Sequence, residues 1–490
     1  MLTTLKRLFD IQLGNLPGRA ALSSEGETLS FDDVDVLARE QQFALRAALA
    51  ESQAEYLPLL VDDSIDSYVA VLTCLLYEIP FGLIDGLAPD ERIATMLSLF
   101  GNPERGWRGP RVNESAIPRV WNNKHSPLAQ TGTNELDGQD TSPRFVITTS
   151  GSTGVPKGVV LDFSRLVASI NQVRIESGPV SKGSVSSLSP LHFIGGLSRL
   201  SRIFLGHHVH LVKPLDMSFR EILQYLEIAE LSHLELPPQI GRLFAHYSNP
   251  DGVYFQSVVN LRMGSEGIRY EVIEGLKKYL NPNVVFWHGL GASEASGMVR
   301  GNHTLKDTPT RGQVPLGALG PGAKLVRLEG FDSNVREVWA SENIALEYLG
   351  QPELTAERFV KGSDGLRYWK SGDLVERAED GQLYHRGRID DVVKVRGILA
   401  SPSETTHVLL GLDGVTAAVT LPTTKGGNTR LTSHIEVQPG DSSPSHAEIR
   451  ASLERVLPAH LLPAEIYLHE KLPTTERGKI DRTALGAIFD

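Results

Sequence analysis

The sequence has little cysteine, no long apolar run and no excess of basic residues. Its single cysteine, Cys74, excludes an internal disulfide framework and a zinc site built on several thiolates, and it fits a reducing cytoplasm. The first residues lack the apolar core of a secretory signal. The longest apolar run, from Tyr68 to Tyr77, is too short to cross a bilayer and predicts a buried helix. We therefore expect a cytoplasmic chain with no membrane span.

Charge and size narrow the class of protein further. Lysine and arginine number 48 against 59 aspartates and glutamates, a formal net charge of -11. Bulk binding to nucleic acid or to an anionic membrane needs a basic surface, so we expect neither as a partner. A chain of 490 residues with 41% apolar residues is too long for one ordinary core and predicts at least two domains.

Apolar spacing indicates an α/β fold. Ser30, with Asp33 three residues later, is typical of a helix N-terminus. The runs Phe145 to Thr149 and Val159 to Leu161 predict strands on either side of a loop, and a helix is predicted to start at Asp162. Strands that alternate with helices in this way favour a mostly parallel sheet.

Three other stretches carry weaker predictions. Residues 102–143 are rich in Asn, Gly, Pro, Thr and Ser and predict a surface loop, whereas residues 268–280 predict a helix. In the last hundred residues, two strand-like runs precede a capping box formed by Ser445 and Glu448, which together predict a small α+β domain. We expect the boundary of this domain near Arg388.

The strongest local signal is the segment TTSGSTGVPKG, residues 148–158. Its three glycines let backbone N–H groups turn toward an anion, and its hydroxyls and lysine add donors that suit a polyphosphate. It is not a Walker A loop, because Pro156 precedes the lysine and Gly158 follows it. A flexible surface turn is the alternative for the glycines alone. The candidate nucleotide-binding residues are Thr149, Ser150, Gly151, Ser152, Thr153, Gly154 and Lys157.

The same segment resembles the phosphate loop of the adenylate-forming superfamily, which includes acyl-CoA synthetases, adenylation domains of nonribosomal peptide synthetases, and luciferases. Further motifs match in the family order between Thr148 and Arg482. The resemblance implies a large N-terminal domain of stacked sheets and helices, residues 1–387, and a small mobile C-terminal domain, residues 388–490. It implies ATP and Mg²⁺ as cofactors, and a CoA or phosphopantetheine thiol as acceptor.

The string GASE, residues 291–294, follows a predicted strand. A hydroxyl and a carboxylate at the carboxyl end of a strand suit a nucleotide phosphate and its Mg²⁺, although a loop glutamate that faces solvent is the alternative. The string resembles the family's Tyr-Gly-x-Thr-Glu motif. That resemblance implies nucleotide binding by Gly291 and Ser293 and Mg²⁺ binding by Glu294, while Leu290 replaces the family's tyrosine and its adenine-stacking ring.

Two motifs near the expected boundary also match. WKSGD ends at Asp373, whose carboxylate can accept both hydroxyls of a ribose, as in the family's Tyr-Arg-Thr-Gly-Asp motif. GRIDDVVKVRG resembles the family's hinge motif, which implies that Arg388 contacts the nucleotide and that the small domain rotates about Asp390. Lys394 and Gly397 would then reach the active site in the thioester-forming state. An ordinary turn and a charged linker are the alternatives.

The string PTTERGKIDR near the end of the sequence places Lys479 after a glycine in a polar turn. A cation on such a turn can neutralise charge while a carboxylate attacks the α-phosphorus of ATP. The string matches the motif that carries the family's catalytic lysine. A solvated surface lysine is the alternative.

The string SPLHFIGGLS, residues 189–198, resembles the acid-binding segment of the family, and in particular of o-succinylbenzoate–CoA ligase, with His192 and Phe193 exchanged in register. His192 could orient the substrate carboxylate or pack in the core. Domains that activate α-amino acids carry an aspartate here, where this chain has Ile194 and Gly195, which favours an acid without an α-amine. The implied acyl pocket is bordered by His192, Phe193, Gly195 and Gly196.

Three nearby histidines, His207, His208 and His210, invite a metal interpretation, since the last two would share one face of a strand. No cysteine and no obvious carboxylate accompanies them, so we prefer a surface strand.

Together these patterns predict an acid–thiol ligase that forms AMP. It would activate a small-molecule carboxylic acid to acyl-AMP, release pyrophosphate, and pass the acyl group to a thiol such as CoA. Three alternatives stay open: a free-standing adenylation enzyme that loads a carrier protein, acyl transfer to an amine, and a nucleotide-binding pseudoenzyme. The candidate catalytic residues are Lys479, Glu294, Lys394 and His192.

Overall fold

The structure is a computed structural model. It describes residues 4–24, 26–101, 105–108, 119–122, 143–150, 156–177, 183–212, 217–264, 267–331, 333–395, 398–425, 428–437, 443–474 and 480–486. Within these ranges, no helix has both the length and the apolar composition needed to cross a membrane.

The helices of the described residues are α1 (Thr4–Asn15), α2 (Phe31–Ser52), α3 (Ile65–Leu76), α4 (Asp90–Ser98), α5 (Phe163–Ser177), α6 (Ile194–Leu200), α7 (Phe219–Ile228), α8 (Pro238–His246), α9 (Tyr270–Leu276), α10 (Pro352–Arg358), α11 (Pro402–Leu409), α12 (His446–Glu454) and α13 (Arg482–Gly486). Short 3₁₀ turns cover Ser201–Leu205, Lys277–Tyr279, Leu305–Asp307 and Ile389–Asp391.

The strands are β1 (Ala20–Ser24), β2 (Glu27–Ser30), β3 (Leu57–Val61), β4 (Phe81–Asp85), β5 (Arg105–Arg108), β6 (Arg119–Asn122), β7 (Arg144–Ser150), β8 (Pro156–Asp162), β9 (Ser184–Ser187), β10 (His208–His210), β11 (His233–Glu235), β12 (Asn260–Gly264), β13 (Val285–Leu290), β14 (Val299–Thr304), β15 (Ala318–Leu319), β16 (Ala323–Arg327), β17 (Val335–Ala340), β18 (Glu347–Tyr348), β19 (Phe359–Lys361), β20 (Arg367–Arg377), β21 (Leu383–Arg388), β22 (Val393–Val395), β23 (Ile398–Ala400), β24 (Val415–Lys425), β25 (Asn428–Val437) and β26 (Glu465–His469).

Two large sheets form the body of the chain. The nine-stranded sheet has the order β15-β14-β13-β12-β11-β9-β10-β1-β2, and its six central strands run parallel. The seven-stranded sheet has the order β18-β8-β7-β4-β3-β5-β6, with β7, β4, β3 and β5 parallel. One hydrophobic core contains Leu22 of the nine-stranded sheet, Phe81 of the seven-stranded sheet and Tyr68 of helix α3. The prediction of an α/β fold with stacked sheets and helices is confirmed.

Local sequence signals account for several of these elements. Ser30 caps α2 in a reciprocal capping box with Asp33, as predicted. The apolar run after Ser64 forms α3, which is buried on nearly all sides and contains Cys74. Strands β7 and β8 pair antiparallel, and α5 follows at Phe163, where the carboxylate of Asp162 accepts from the next turn's backbone.

One prediction of local structure was wrong in part. The expected loop at 102–143 contains strands β5 and β6, which pair with each other, and Trp107 of β5 is buried. This pairing is not visible in the composition of the segment. The helix expected over 268–280 is confirmed, since α9 is followed directly by the 3₁₀ turn Lys277–Tyr279.

The surface strand expected for the histidines was also wrong. His208 and His210 lie on β10, which pairs with β9 and β1 within the nine-stranded sheet, and His207 and His210 are buried. The His208 ring bonds Ser23, and the His210 ring meets the Tyr225 hydroxyl. In the described ranges there is no group of three or more side chains suited to hold a metal ion.

The last part of the chain is built on smaller sheets. Strands β16, β17, β20 and β19 form one sheet, to which β21 is added through β20. Beyond it, β24, β25 and β26 form a three-stranded sheet that packs with α11 and α12, and Ser445 caps α12 together with Glu448 as predicted. This small α+β unit is confirmed. Its boundary at residue 388 and its rotation stay predictions.

Candidate active site

The two ends of the predicted phosphate loop lie side by side. In the antiparallel pair β7–β8, Thr149 is opposite Lys157 and Ser150 is opposite Pro156. The hydroxyl of Thr148 donates to the backbone oxygen of Leu83 at 2.8 Å, which ties β7 to β4 just before the loop. The candidate ligands Gly151, Ser152, Thr153 and Gly154 lie outside the described residues.

Tyr348 connects the phosphate loop to the GASE segment. The Nζ atom of Lys157 lies 5.6 Å from the centroid of the Tyr348 ring, within the range of a cation–π contact. The Tyr348 hydroxyl donates to Oε1 of Glu294 at 3.0 Å and accepts from Nε1 of Trp369 at 3.1 Å. Burial and the nearby Glu294 raise the pKa of Tyr348, so its hydroxyl stays a donor at physiological pH. One tyrosine therefore holds a loop cation and a carboxylate near each other.

Arg165 of α5 holds the backbone just before Glu294 through hydrogen bonds. This buried guanidinium donates to the carbonyl oxygen of Ser293 and, at 3.2 Å, to that of Ala292. Burial lowers the pKa of Arg165 to about 10, and the nearby Glu294 acts in the opposite direction. Ala292 and Ala295 close the turn with reciprocal backbone hydrogen bonds. The carboxylate of Glu294 thus projects from a turn held at both ends.

Leu290, just before the GASE segment, is a core residue. Leu290 is the last residue of β13, is buried, and belongs to the main hydrophobic core. Gly291 follows it and is half-buried, as is Ser293. The side chain of Leu290 therefore contributes to stability.

Asp373 and Arg388 are brought together by strand register. They are paired residues on β20 and β21, and Oδ1 of Asp373 lies 3.3 Å from Nη1 of Arg388 and 3.4 Å from Nε2 of His385. Gly372 has φ of 74°, a left-handed conformation that favours glycine before the buried carboxylate. Arg388 also donates to the backbone oxygen of Ser371 at 3.0 Å. The two predicted nucleotide contacts are thus neighbours.

Asp390, the predicted hinge residue, lies in the 3₁₀ turn after β21 and accepts from two arginines. Nη2 of Arg358 is 2.9 Å from Oδ2 and 3.2 Å from Oδ1, and Nη2 of Arg388 is 3.2 Å from Oδ2. Burial alone would raise the pKa of Asp390, but the two guanidiniums lower it. Arg358 is the last residue of α10.

Three other candidates have no described side-chain position. Lys394 lies on β22, where its backbone pairs with Leu399. Gly397 and the catalytic candidate Lys479 lie outside the described residues. Their roles stay predictions.

The predicted acyl segment meets the carboxyl edge of the seven-stranded sheet. His192 is buried, and its Nε2 lies 3.7 Å from Oδ2 of Asp85, the last residue of β4. The ring centroids of His192 and Phe193 are 4.2 Å apart. A Cβ atom on Gly196 would lie 2.2 Å from the carbonyl oxygen of Pro190, so this position excludes larger residues. Gly195 is less crowded, with Ser189 Oγ at 3.0 Å from such an atom.

A buried ion pair supports the same segment. Arg199 of α6 donates to the backbone oxygen of Ser189 at 3.1 Å and lies 3.4 Å from Oδ1 of Asp63, which also accepts from the backbone N–H of Leu191. Burial raises the pKa of Asp63 to about 6, although Arg199 opposes the shift. The sequence analysis did not identify Asp63 or Asp85. Both could have been recognised as aspartates at the carboxyl ends of neighbouring parallel strands, since Asp63 follows β3 by two residues and Asp85 is the last residue of β4.

The residues around Glu294 fit a magnesium ion bound together with a nucleotide. A carboxylate and phosphate oxygens are ligands that Mg²⁺ prefers, usually with only one or two protein carboxylates. Oε1 of Glu294 already accepts from Tyr348, which orients the carboxylate. Since the described residues contain no cluster of three metal-ligating side chains, most other ligands would come from phosphate and water.

Comparison with known proteins agrees with the motifs. The family model described as AMP-binding enzyme matches residues 109–329. Surfactin synthase subunit 2 of Bacillus subtilis is 29% identical over 98% of this chain, which spans 14% of that protein. Benzoate CoA ligase of Burkholderia xenovorans superposes with a TM-score of 0.78 at 18% identity, over 99% of this chain and 100% of that one.

A second solved structure, o-succinylbenzoate CoA synthetase of Bacillus subtilis in complex with its acyl-adenylate, superposes with a TM-score of 0.76 at 18% identity over 98% of this chain and 97% of that one. At these identities, the two superpositions show a shared fold. The chain therefore resembles AMP-binding enzymes in sequence over residues 109–329, and it shares its fold with these two solved structures over nearly its whole length.

Proposed function

We propose that this chain activates a small carboxylic acid with ATP and then passes the acyl group to a thiol. The observation that carries the proposal is the contact chain from Lys157 through Tyr348 to Glu294. It joins a cation at the end of a glycine-rich loop to a carboxylate suited to Mg²⁺, which is what binding of a triphosphate requires. The buried carboxylate of Asp373 lies four residues beyond Trp369, the other hydrogen-bond partner of Tyr348.

In the first half-reaction, a carboxylate oxygen of the acid attacks the α-phosphorus of ATP. The new P–O bond forms as the bond to pyrophosphate breaks, and pyrophosphate leaves with the electron pair. Lys157 and the loop N–H groups bind the phosphates, Asp373 accepts the ribose hydroxyls, and Lys479 neutralises charge at the reacting phosphorus. Mg²⁺ held at Glu294 would supply charge neutralisation on the phosphate oxygens.

In the second half-reaction, the sulfur of a thiol attacks the carbonyl carbon of the acyl-AMP. The bond from this carbon to the AMP oxygen breaks, AMP leaves with the electron pair, and the thiol proton passes to solvent. Rotation about Asp390 would withdraw Lys479 and bring Lys394 and Gly397 to the site. The contacts of Asp390 with Arg358 and Arg388 would have to change during that rotation.

The acceptor and the acid are the finer parts of the proposal. CoA is the first candidate, because benzoate CoA ligase shares the fold over nearly the whole chain. A carrier protein is the second, because the sequence also matches part of surfactin synthase subunit 2. Ile194 and Gly195 occupy the positions where an aspartate would pair with an α-amine, which favours an acid without one.

Acid-dependent exchange of pyrophosphate into ATP tests the first half-reaction. We expect exchange with at least one acid of an aryl, aliphatic and amino acid panel, and we expect Lys479→Ala to reduce it at least 100-fold. Lys471→Ala, which removes an exposed lysine eight residues away, is the matched control and should leave exchange unchanged. Thiol attack on preformed acyl-AMP should be spared in Lys479→Ala. Unchanged exchange in that variant would remove the assignment of Lys479.

A further inference from the structure

Five charged side chains meet on one face of the nine-stranded sheet, and we call them the polar floor. Arg202 pairs with Glu235, and the Arg202 side chain is buried. Nη2 of Arg262 lies 2.8 Å from Oε2 of Glu176, and Nη1 of Arg300 lies 3.6 Å from Oε1 of the same carboxylate. None of these residues belongs to the nucleotide contacts described above.

Strand register puts the floor on a single face. Glu235 of β11 is opposite Arg262 of β12, which is opposite Trp287 of β13. Two residues beyond Trp287, Gly289 is opposite Arg300 of β14. Side chains of directly paired residues lie on the same face, and residues two apart along a strand do as well. Arg262 and Arg300 therefore lie on the same face of the sheet, two strands apart.

The floor is connected to both the acyl segment and the nucleotide segment. Glu235 is the last residue of β11, and its backbone oxygen accepts from Leu188, just before the segment 189–198. Arg202 lies on the 3₁₀ turn that continues α6, the helix that starts within that segment. Gly289 is two residues before Gly291, the first residue of the GASE segment. The elements that carry the floor therefore lead directly into both predicted segments.

Among the five described side chains of the floor, three guanidiniums outnumber the two carboxylates of Glu176 and Glu235. The adjacent His233 adds no charge near neutral pH, because burial lowers its pKa to about 3. The side chains of Arg262 and Arg300 are 37% and 27% exposed, whereas those of Glu176 and Glu235 are 6% and 12% exposed. A cavity of about 20 Å³ is lined in part by Arg262, Glu176 and Glu235. The more accessible of these charges are therefore cationic.

We propose that the floor binds a second anionic group of the substrate, so that the acid is a dicarboxylic acid whose far carboxylate meets Arg262 and Arg300. This inference rests on the proposed adenylation of a carboxylic acid. A monocarboxylic acid would leave the excess charge without a counter-ion, and an acid with a distal ammonium would be repelled. A guanidinium can bind a carboxylate with two parallel hydrogen bonds, which adds geometric selection.

Pyrophosphate exchange with matched acids tests the inference. Straight-chain dicarboxylic acids of four to eight carbons are compared with their monomethyl esters, with ω-amino acids and with monocarboxylic acids of equal length. We expect kcat/KM for the best dicarboxylic acid to exceed that for its monoester at least tenfold. Arg262→Gln should reduce this ratio roughly 10- to 100-fold, mainly through KM, because a charged hydrogen bond is lost. Arg262→Lys should retain part of the preference.

Arg220→Gln is the matched control. Arg220 pairs with Asp251 on the surface, neither residue belongs to the floor, and its loss should leave the ratio unchanged. Equal or better exchange with the monoesters or monocarboxylic acids would overturn the inference and leave adenylation standing. A ratio that is the same in Arg262→Gln and the wild type would overturn it as well. Absence of exchange with every acid tested would count against the proposed function itself.

Discussion

The hydroxyl of Tyr348 offers the sharpest test of how the site is held together. Tyr348→Phe removes only this hydroxyl, which donates to Glu294 and accepts from Trp369 in a buried environment. A hydrogen bond to a charged group contributes about 1.5–3 kcal/mol, and a buried indole N–H left without an acceptor costs about 1–3 kcal/mol. Since the two terms partly overlap, we expect a loss of about 3 kcal/mol and a fall of several degrees in the thermal unfolding midpoint.

Activity distinguishes a structural role of Tyr348 from a positioning role. If its hydroxyl orients Glu294 toward Mg²⁺, Tyr348→Phe should lower kcat/KM for ATP in pyrophosphate exchange by about 10- to 100-fold, and higher Mg²⁺ should recover part of the loss. Tyr368→Phe is the control, since the Tyr368 hydroxyl donates to Asp364, whose side chain is 44% exposed. We expect that control to lose less than about 1 kcal/mol and to keep its Mg²⁺ dependence. A Tyr348→Phe enzyme with the wild-type Mg²⁺ dependence would refute the positioning argument.

Acid should unfold the chain, because burial keeps six histidines neutral in the folded state while the unfolded chain protonates them below about pH 6.5. Their folded-state pKa values are about 4 for His208, His288 and His434 and about 3 for His210, His233 and His407. Each can remove up to about 1.4 kcal/mol per pH unit as the pH falls toward its folded-state pKa, so the thermal midpoint should drop steeply between pH 6.5 and 4. Asp63 opposes this to a smaller extent, and a flat profile would contradict the prediction. Gly196→Ala should raise KM for the acid and cost about 1–3 kcal/mol, whereas Gly195→Ala should do less in the same assays. Asp390→Asn should slow thiol transfer more than pyrophosphate exchange, and equal slowing of both would argue against a hinge role.

The sequence predicted features whose cause is local. The capping boxes at Ser30 and Ser445 need only three residues of separation, and both form. The strand–loop–strand unit around residues 145–161 follows from two apolar runs and the glycines between them. Glu294 and Asp373 could be named because each lies within a short motif. Glu294 lies in a turn after β13, and Asp373 lies at an irregularity of β20 just after Gly372, so a motif of four or five residues determines most of the local geometry.

Features that depend on distant partners could not be predicted. Tyr348 reaches Glu294 across 54 residues, and Arg165 reaches Ser293 across 128. Neither residue lies in a motif that marks it as functional. The prediction of a surface strand for the histidines of β10 was wrong for the same reason. Their polar rings suggested exposure, whereas the His208 ring forms a hydrogen bond with Ser23, 185 residues away in the sequence. A polar side chain can be buried when a remote partner accepts its hydrogen bond, and no local pattern records that partner.

The same reasoning explains why substrate selection is harder to read than nucleotide binding. Loop backbone and a few charged groups suffice for a polyphosphate, so its signal is continuous in sequence. The polar floor instead takes one residue from each of several strands and a helix, and its net charge appears only after β11, β12 and β14 are placed in register. Arg262 and Arg300 are ordinary strand residues in the sequence. Only the pairing of β12, β13 and β14 places both arginines on one face of the sheet, where we propose that they select the substrate.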